Sequence, residues 1–212
     1  MTHKPVPKTL AVIAGLSQIP PHPSEAVLLL IDAQREYTTG QVPLAGIDES
    51  VEEGARLLAF ARAHGMPVFH AIHHGKPGAA LFDPQRDGSA FIDALAPRDG
   101  ETVIIKSLPN AFAGTPLAER VRATGRREIV IAGFATHMCV SATARSALDQ
   151  GFRTTVVAAA TATRDLPHAS GAGITPAAVV QEGTLAALAD RFSVVIQDTA
   201  TLLRRAGQVT YP

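Results

Sequence analysis

The sequence predicts an α/β fold: a doubly wound, six-stranded, mainly parallel sheet with helices on both faces. Three observations carry that expectation. Short apolar runs recur along the chain, and the first, Ala26-Val27-Leu28-Leu29-Leu30-Ile31, is unbroken, as in a strand buried on both faces. Segments with helical spacing separate these runs, so strands and helices alternate. No linker, internal repeat or low-complexity stretch divides the 212 residues, 46% of them hydrophobic, so one large domain is expected.

Residues 1–25 form a Pro-rich arm ahead of a domain spanning 26–212, with Pro20-Pro21-His22-Pro23 as a stiff spacer. Lys4 and Lys8 precede the apolar run Leu10 to Leu16, the outline of a minimal signal peptide. The run is short and prolines interrupt its basic end, so the segment reads as a docking arm. The first strand ends at Asp32, and a loop of Gly, Pro and polar residues reaches Gly46. Ile47 to His64 reads as a helix with Val51, Ala55, Leu58 and Ala59 on one face and Gly65 as its stop. The second strand, Pro67 to Ile72, leads into His73-His74-Gly75-Lys76-Pro77-Gly78, and from there to Gly100 only Ala90–Leu95 suggests a turn of helix. The third strand is Thr102 to Ile105, ended by Lys106. Thr115 as cap, Pro116 at the first position and Glu119 in the first turn mark a helix start. A fourth strand, Ile129 to Ala132, turns sharply through Gly133–His137 into a helix running from Cys139 to Gly151. The fifth strand, Arg153 to Ala158, is followed by a Gly/Ala-rich loop, 159–175, a helix from Pro176 to Ala189 and a last strand, Ser193 to Ile196.

Composition narrows the function. Lys+Arg and Asp+Glu balance at 19 each, so no net field favours nucleic acid or an anionic membrane. No apolar run approaches the ~20 residues that span a bilayer. One cysteine makes no internal disulfide, which suits a reducing compartment and predicts a cytoplasmic location.

Sheets of this class bind ligands beyond the strand carboxyl ends, where strand order reverses. Asp32, Lys106 and Cys139 stand at three such ends. Each has an ordinary reading: a turn-capping aspartate, a solvated strand-end lysine, a small buried apolar cysteine. Together they supply a nucleophile, a proton acceptor and a cation that keeps the acceptor ionised. A helix start would favour the Cys139 thiolate through its N–H groups and dipole. A nucleotide-binding domain is disfavoured, since neither G-x-G-x-x-G nor G-x-x-x-x-G-K-[ST] follows any strand.

The stretches VLLLIDAQREY, ETVIIKSLPNAFAGTPL and IVIAGFATHMCVSATARSALDQGF, in that order and spacing, resemble the isochorismatase-like cysteine hydrolases, which include nicotinamidase and N-carbamoylsarcosine amidohydrolase. The resemblance covers Ala26 to Leu203. It implies an Asp32-Lys106-Cys139 triad, a sheet of order 3-2-1-4-5-6 and a cis peptide bond between Phe134 and Ala135. It also implies an oxyanion hole made by the N–H groups of Ala135 and Cys139. By their places in the motifs, Tyr37, Phe112, Gln34, His74 and Thr136 become candidates for the substrate pocket, with core packing the other reading of the two aromatics. The implied reaction is hydrolysis of an amide, lactam or ureido C–N bond of a small molecule through a thioester.

Departures from the family pattern sharpen this. True isochorismatases carry no cysteine at the nucleophile position, so Cys139 argues against a vinyl-ether substrate. Nicotinamidases bind a metal through an Asp-x-His pair and a further His after the second strand. Here the region holds His70, His73 and His74 without Asp-x-His, so no metal and no cofactor is expected. Relatives often carry Asp-Ala at the end of the fifth strand, where this chain has Ala159-Ala160. Nicotinamidase proper and a non-catalytic binding member of the fold stand as alternatives. The expected partners are a small-molecule substrate and other copies of the chain in a homo-oligomer, with no nucleic acid and no membrane.

Overall fold

The structure is a computed structural model and describes residues 5–207. Its central strand is β1 (Ala26–Ile31), buried at all six positions. Alternate residues of a strand face opposite sides. Val27, Leu29 and Ile31 therefore enter one core, and Leu28 and Leu30 the other. β2 (Val68–His73) and β4 (Glu128–Phe134) flank β1, both parallel to it. β3 (Thr102–Lys106) is the edge beyond β2, and β5 (Arg153–Ala162) lies beyond β4. After β5, β6 (Leu166–Pro167) and β7 (Ile174–Thr175) make a small antiparallel ribbon. β8 (Ser193–Ile196) closes the far edge of the main sheet. The order β3-β2-β1-β4-β5-β8 is the expected one, β8 being the sixth strand of the sheet along the chain.

The helices divide between the two faces because the apolar faces of β1 and its neighbours do. The arm carries α1 (Leu10–Ile13), and α2 (Ile47–Ala63) follows the first loop. α2 packs Leu57, Leu58, Phe60 and Ala61 against Leu28 and Leu30. On the opposite face lie α3 (Leu117–Ala123), α4 (Ser141–Asp149) and α5 (Ala177–Arg191), through Leu117, Val121, Ala144, Ala147 and Leu188. α6 (Thr199–Ala206), absent from the sequence reading although Asp198 before it and Arg204-Arg205 in its last turn are helix signals, puts Leu202 into the α2 core. Asp198 caps it by accepting from Thr201 N–H, and buried Glu53 accepts from Thr199 N–H at 2.7 Å. Along the arm, Leu10 N–H donates to Asp190 at 2.8 Å and Ala11 is buried. Lys4 and the expected domain end at 208–212 lie outside the described residues.

Three expectations change. β5 runs on to Ala162, and the ribbon occupies much of what reads as loop from 159 to 175. The ladder between β4 and β5 slips, from Ile131↔Val156 to Gly133↔Thr161, so a bulge absorbs the extra β5 residues and Ala162 still pairs with Phe134. Finally, Cys139 does not start an α-helix. A single five-residue π turn, Thr136–Val140, precedes α4. Among the described residues, no helix is long and apolar enough to cross a membrane.

Gly133 sets the spacing of the two central strands. Its φ is 117°, and a β-carbon there would stand 2.0 Å from Ile31 O and 2.6 Å from Ile31 N. Backbone cannot yield to that contact without separating β1 from β4. Gly133→Ala is expected to cost at least about 3 kcal/mol, within the range of severe single substitutions. Gly183→Ala, in α5 with open space around it, should be neutral or stabilising by about 0.5–1 kcal/mol. Urea denaturation of the two variants checks the contrast.

Candidate active site

Three strand ends converge beyond the carboxyl edge of the sheet. Asp32 follows β1 directly, and its N–H donates to Ala71 O at 2.7 Å, which extends the ladder by one residue. Its φ of 47° is left-handed, uncommon for a residue with a side chain, and it re-aims the carboxylate as the strand ends. Lys106 is the last residue of β3 and lies in register with His73 of β2. On this edge strand Val103 and Ile105 face solvent, so strand alternation turns Ile104 and Lys106 inward. Cys139 stands in the π turn after β4, and the peptide bond Phe134–Ala135 is cis. The β5 extension holds that turn: Thr136 Oγ1 donates to Ala162 O at 3.0 Å, and His137 Nδ1 lies 2.5 Å from Thr163 Oγ1.

Lys106 joins the other two residues. Its Nζ is 2.8 Å from Asp32 Oδ2 and 3.4 Å from Cys139 Sγ. It also donates to Leu108 O at 3.1 Å and lies 3.2 Å from His73 Nδ1. Asp32 is fully buried, Lys106 is 2% exposed and Cys139 4%. Asp32 Oδ1, the second carboxylate oxygen, has no hydrogen-bond donor.

Burial dominates the electrostatics. It pushes the Asp32 carboxyl above its ordinary range, while the charge and hydrogen bond of Lys106 pull the other way. Burial and the neighbouring Asp32 charge push the Cys139 thiol up to about 12, with Lys106 opposing them. The helix-start argument for a resting thiolate therefore does not hold: desolvation outweighs it, and no α-helix begins at Cys139. The resting site holds a thiol beside a carboxylate whose basicity is raised.

The other expected residues divide between the site and its scaffold. Tyr37 is buried, edge-on to Phe82 at 5.3 Å and to Phe134 at 6.0 Å. Burial and the charges of Asp32 and Cys139 raise the pKa of its hydroxyl, and a hydrogen bond from the Ala135 backbone pulls it down. Phe112 instead stacks on Phe152 at 5.7 Å, within the core shared with α3 and α4. Gln34 is fully buried and its amide serves backbone: Nε2 donates to His73 O at 2.9 Å and Ser89 O at 3.0 Å, and Oε1 accepts from His73 N–H at 2.9 Å. Thr136 is fully buried, its hydroxyl held by Ala162. His74 donates its backbone N–H to Lys106 O at 2.9 Å.

The histidines do not converge. His70 Nε2 pairs with Glu101 Oε2 at 2.9 Å, while His73 turns to Lys106. Among the described residues, no group of three His, Cys, Asp or Glu side chains is placed to hold a metal ion. Two contributors were not singled out in the sequence as site residues. His73 was weighed only as a metal ligand, although its β2–β3 register with Lys106 points to it. Phe82, at a left-handed φ of 54°, lies 5.0 Å from the His73 ring and against Tyr37, and no sequence pattern marks it.

The loops after β1 and β2 are laced together over these residues. Arg35 binds Asp87 at 2.5 Å and Asp93 at 2.8 Å, Arg35 N–H donates to Ala90 O, and Ile92 N–H to Ala33 O. Gln34 adds its bond to Ser89, and buried Glu36 accepts from Gln41 N–H at 2.7 Å and Phe82 N–H at 3.4 Å.

With this geometry in view, the comparisons with known proteins are specific. The Isochorismatase domain model matches residues 26–200. The chain belongs to the isochorismatase family. A crystal structure of an isochorismatase from Pseudomonas putida KT2440 superposes with a TM-score of 0.88 at 43% identity, covering 93% of this chain and all of that one. Streptothricin hydrolase of Streptomyces noursei is 34% identical over 79% of this chain and 67% of its own length. Maleamate amidohydrolase of Pseudomonas putida is 38% identical over 61% of this chain and 68% of its own.

A buried ion pair that loses one partner leaves an uncompensated charge, at a typical cost of about 3–5 kcal/mol. Lys106→Met should therefore lose about 3 kcal/mol of stability at neutral pH. Without the lysine, the folded-state pKa of Asp32 rises further above its unfolded value of 3.8. The penalty is then full above that raised pKa and vanishes below 3.8, where the carboxyl is neutral in both states. Denaturation midpoints of Lys106→Met followed from pH 8 down to 4 should converge on wild type, and adding Asp32→Asn should recover most of the loss at pH 8.

Proposed function

We propose that this chain is a hydrolase of carbon–nitrogen bonds that cleaves an amide, lactam or ureido bond of a small molecule through a Cys139 thioester. One observation carries the reading. A single ammonium, Lys106 Nζ, bonds Asp32 Oδ2 and lies within hydrogen-bond reach of Cys139 Sγ, while Asp32 Oδ1 has no donor. An acceptor with raised basicity beside a protonated thiol is poised for proton transfer, because a general base works best when its pKa lies near the operating pH.

In this mechanism Asp32 takes the thiol proton as Sγ attacks the carbonyl carbon. The Lys106 ammonium stabilises both the carboxylate and the forming thiolate. The tetrahedral oxyanion takes hydrogen bonds from the N–H groups of Ala135 and Cys139. Asp32 returns its proton to the leaving nitrogen, and the thioester forms as the C–N bond breaks. A water that gives its proton to Asp32 then attacks the thioester, releasing the acid and restoring the thiol. An oxyanion donor is commonly worth about 3–4 kcal/mol of barrier. The amide-hydrolase names of streptothricin hydrolase and maleamate amidohydrolase support the reaction class. A lone cysteine that works as a thiol fits the cytoplasm, where we place the activity.

The test is a panel of amides, lactams and ureido compounds scored for ammonia or amine release. Cys139→Ala should lose at least a thousandfold in rate on any compound turned over, and mass spectrometry of quenched wild type should find an acyl adduct on Cys139. Retention by Cys139→Ala of more than a few per cent of the wild-type rate would overturn the covalent mechanism. If no compound is turned over yet several bind, a non-catalytic binding member of the fold becomes the better reading.

The diverging histidines generate a separate expectation. Dialysis against a strong chelator should leave the rate unchanged. Loss on chelation, restored by zinc, iron or manganese, would revive a metal-dependent nicotinamidase.

A further inference from the structure

Four acceptors surround the Lys106 ammonium, which has only three hydrogens to give. Asp32 Oδ2 at 2.8 Å is the closest and is anionic, and Leu108 O at 3.1 Å belongs to the backbone. The third hydrogen is contested between His73 Nδ1 at 3.2 Å and Cys139 Sγ at 3.4 Å. A neutral thiol is a weak acceptor, so in the resting site the imidazole wins. A thiolate is a charge-assisted acceptor and reverses the order.

We propose that His73 is a positioning residue that takes the third ammonium hydrogen of Lys106 while Cys139 is a thiol and yields it to Sγ when the thiolate forms. The inference deepens the reading of Cys139 as nucleophile and rests on it. No bond is made or broken in this step: one hydrogen bond is exchanged for another as charge moves onto sulfur.

The rest of the site supports the role. Lysine can only donate, so Nδ1 must be the unprotonated ring nitrogen, with the imidazole hydrogen on Nε2. Burial, then the neighbouring Lys106 and His74, lower the His73 pKa to about 4, which keeps that nitrogen available as an acceptor at neutral pH. His73 is held at its backbone and at its ring. Gln34 grips both the N–H and the carbonyl of His73 at 2.9 Å, and Phe82 lies against the ring at 5.0 Å. This also explains a fully buried glutamine whose amide serves backbone rather than ligand: it fixes the residue that fixes the lysine.

The test uses iodoacetamide and needs no substrate, since Cys139 is the only cysteine. Below the thiol pKa, alkylation rate follows the thiolate fraction, and a one-unit shift changes it tenfold. His73→Leu fills the space but offers no acceptor, so the third hydrogen is left to sulfur and the thiolate gains. Alkylation at pH 8 should rise three- to tenfold. His73→Asn puts an oxygen where Nδ1 stood and should stay within about twofold of wild type. In a Lys106→Met background, His73→Leu should change nothing, because the effect acts through the lysine. Circular dichroism confirms the fold of each variant. An unchanged or slower His73→Leu, an equal rise in His73→Asn, or the same rise without Lys106, as a mere change of access would give, overturns the proposal. Failure of every amide in the substrate panel would leave these rates fully readable, so the two readings fail separately.

Discussion

The ion pair between Asp32 and Lys106 is the constraint on which the carboxyl edge of this sheet depends. Both side chains are wholly removed from solvent, and they come from strands that are not neighbours, since β2 lies between β1 and β3. Neither charge is tolerable there alone. Their pairing pulls the end of the edge strand inward over His73, while the outer face of that strand leaves Val103 and Ile105 exposed. The surrounding hydrogen bonds serve the same end. Leu108 offers its carbonyl to the lysine, and Gln34 fixes the backbone it crosses. Asp32 accepts the cost of a left-handed backbone to present its carboxylate.

That pairing also decides how the cysteine behaves. In the same pocket, burial raises both acids, the carboxyl and the thiol, and a single cation opposes both shifts. Three groups so close titrate together, and any apparent pKa belongs to the cluster rather than to one side chain. In the proposed mechanism the thiolate is therefore made when needed rather than stored, which suits a buried thiol that would otherwise be open to chance oxidation as a thiolate.

Much of this was legible in the chain. Unbroken apolar runs marked β1 and β4 because strands buried on both faces need no polar alternation, and their residues at Asp32 and beyond Gly133 fell where such sheets hold ligands. Asp32, Lys106 and Cys139 were visible for the same reason: each ends or follows a run. Other features had no sequence signal. The extension of β5 to Ala162 depends on a bulge, which pairing with β4 and β8 creates, and Ala159-Ala160 looks like loop in isolation. The π turn at Thr136–Val140 differs from an α turn by one residue of hydrogen bonding, below what side-chain spacing resolves. Phe112 sits in a site motif yet turns its ring to Phe152, a choice made by packing and not by motif. α6 is the exception, since Asp198 is a local cap signal, though the bond from Thr199 N–H to Glu53, far away in sequence, is not legible.

The lacing of the loops after β1 and β2 bears on what the site admits. Arg35 reaches both Asp87 and Asp93, and Gln34 reaches both Ser89 and His73, so lifting one loop strains its bonds to the other, chiefly those of buried Gln34 because the Arg35 pairs are exposed to solvent. A molecule that fits beneath them enters without disturbing the set. A larger one would have to break some of those bonds, and the bonds that Gln34 makes to His73 are among them. In the proposed mechanism, the same loops would then govern alignment at Lys106 as well as access.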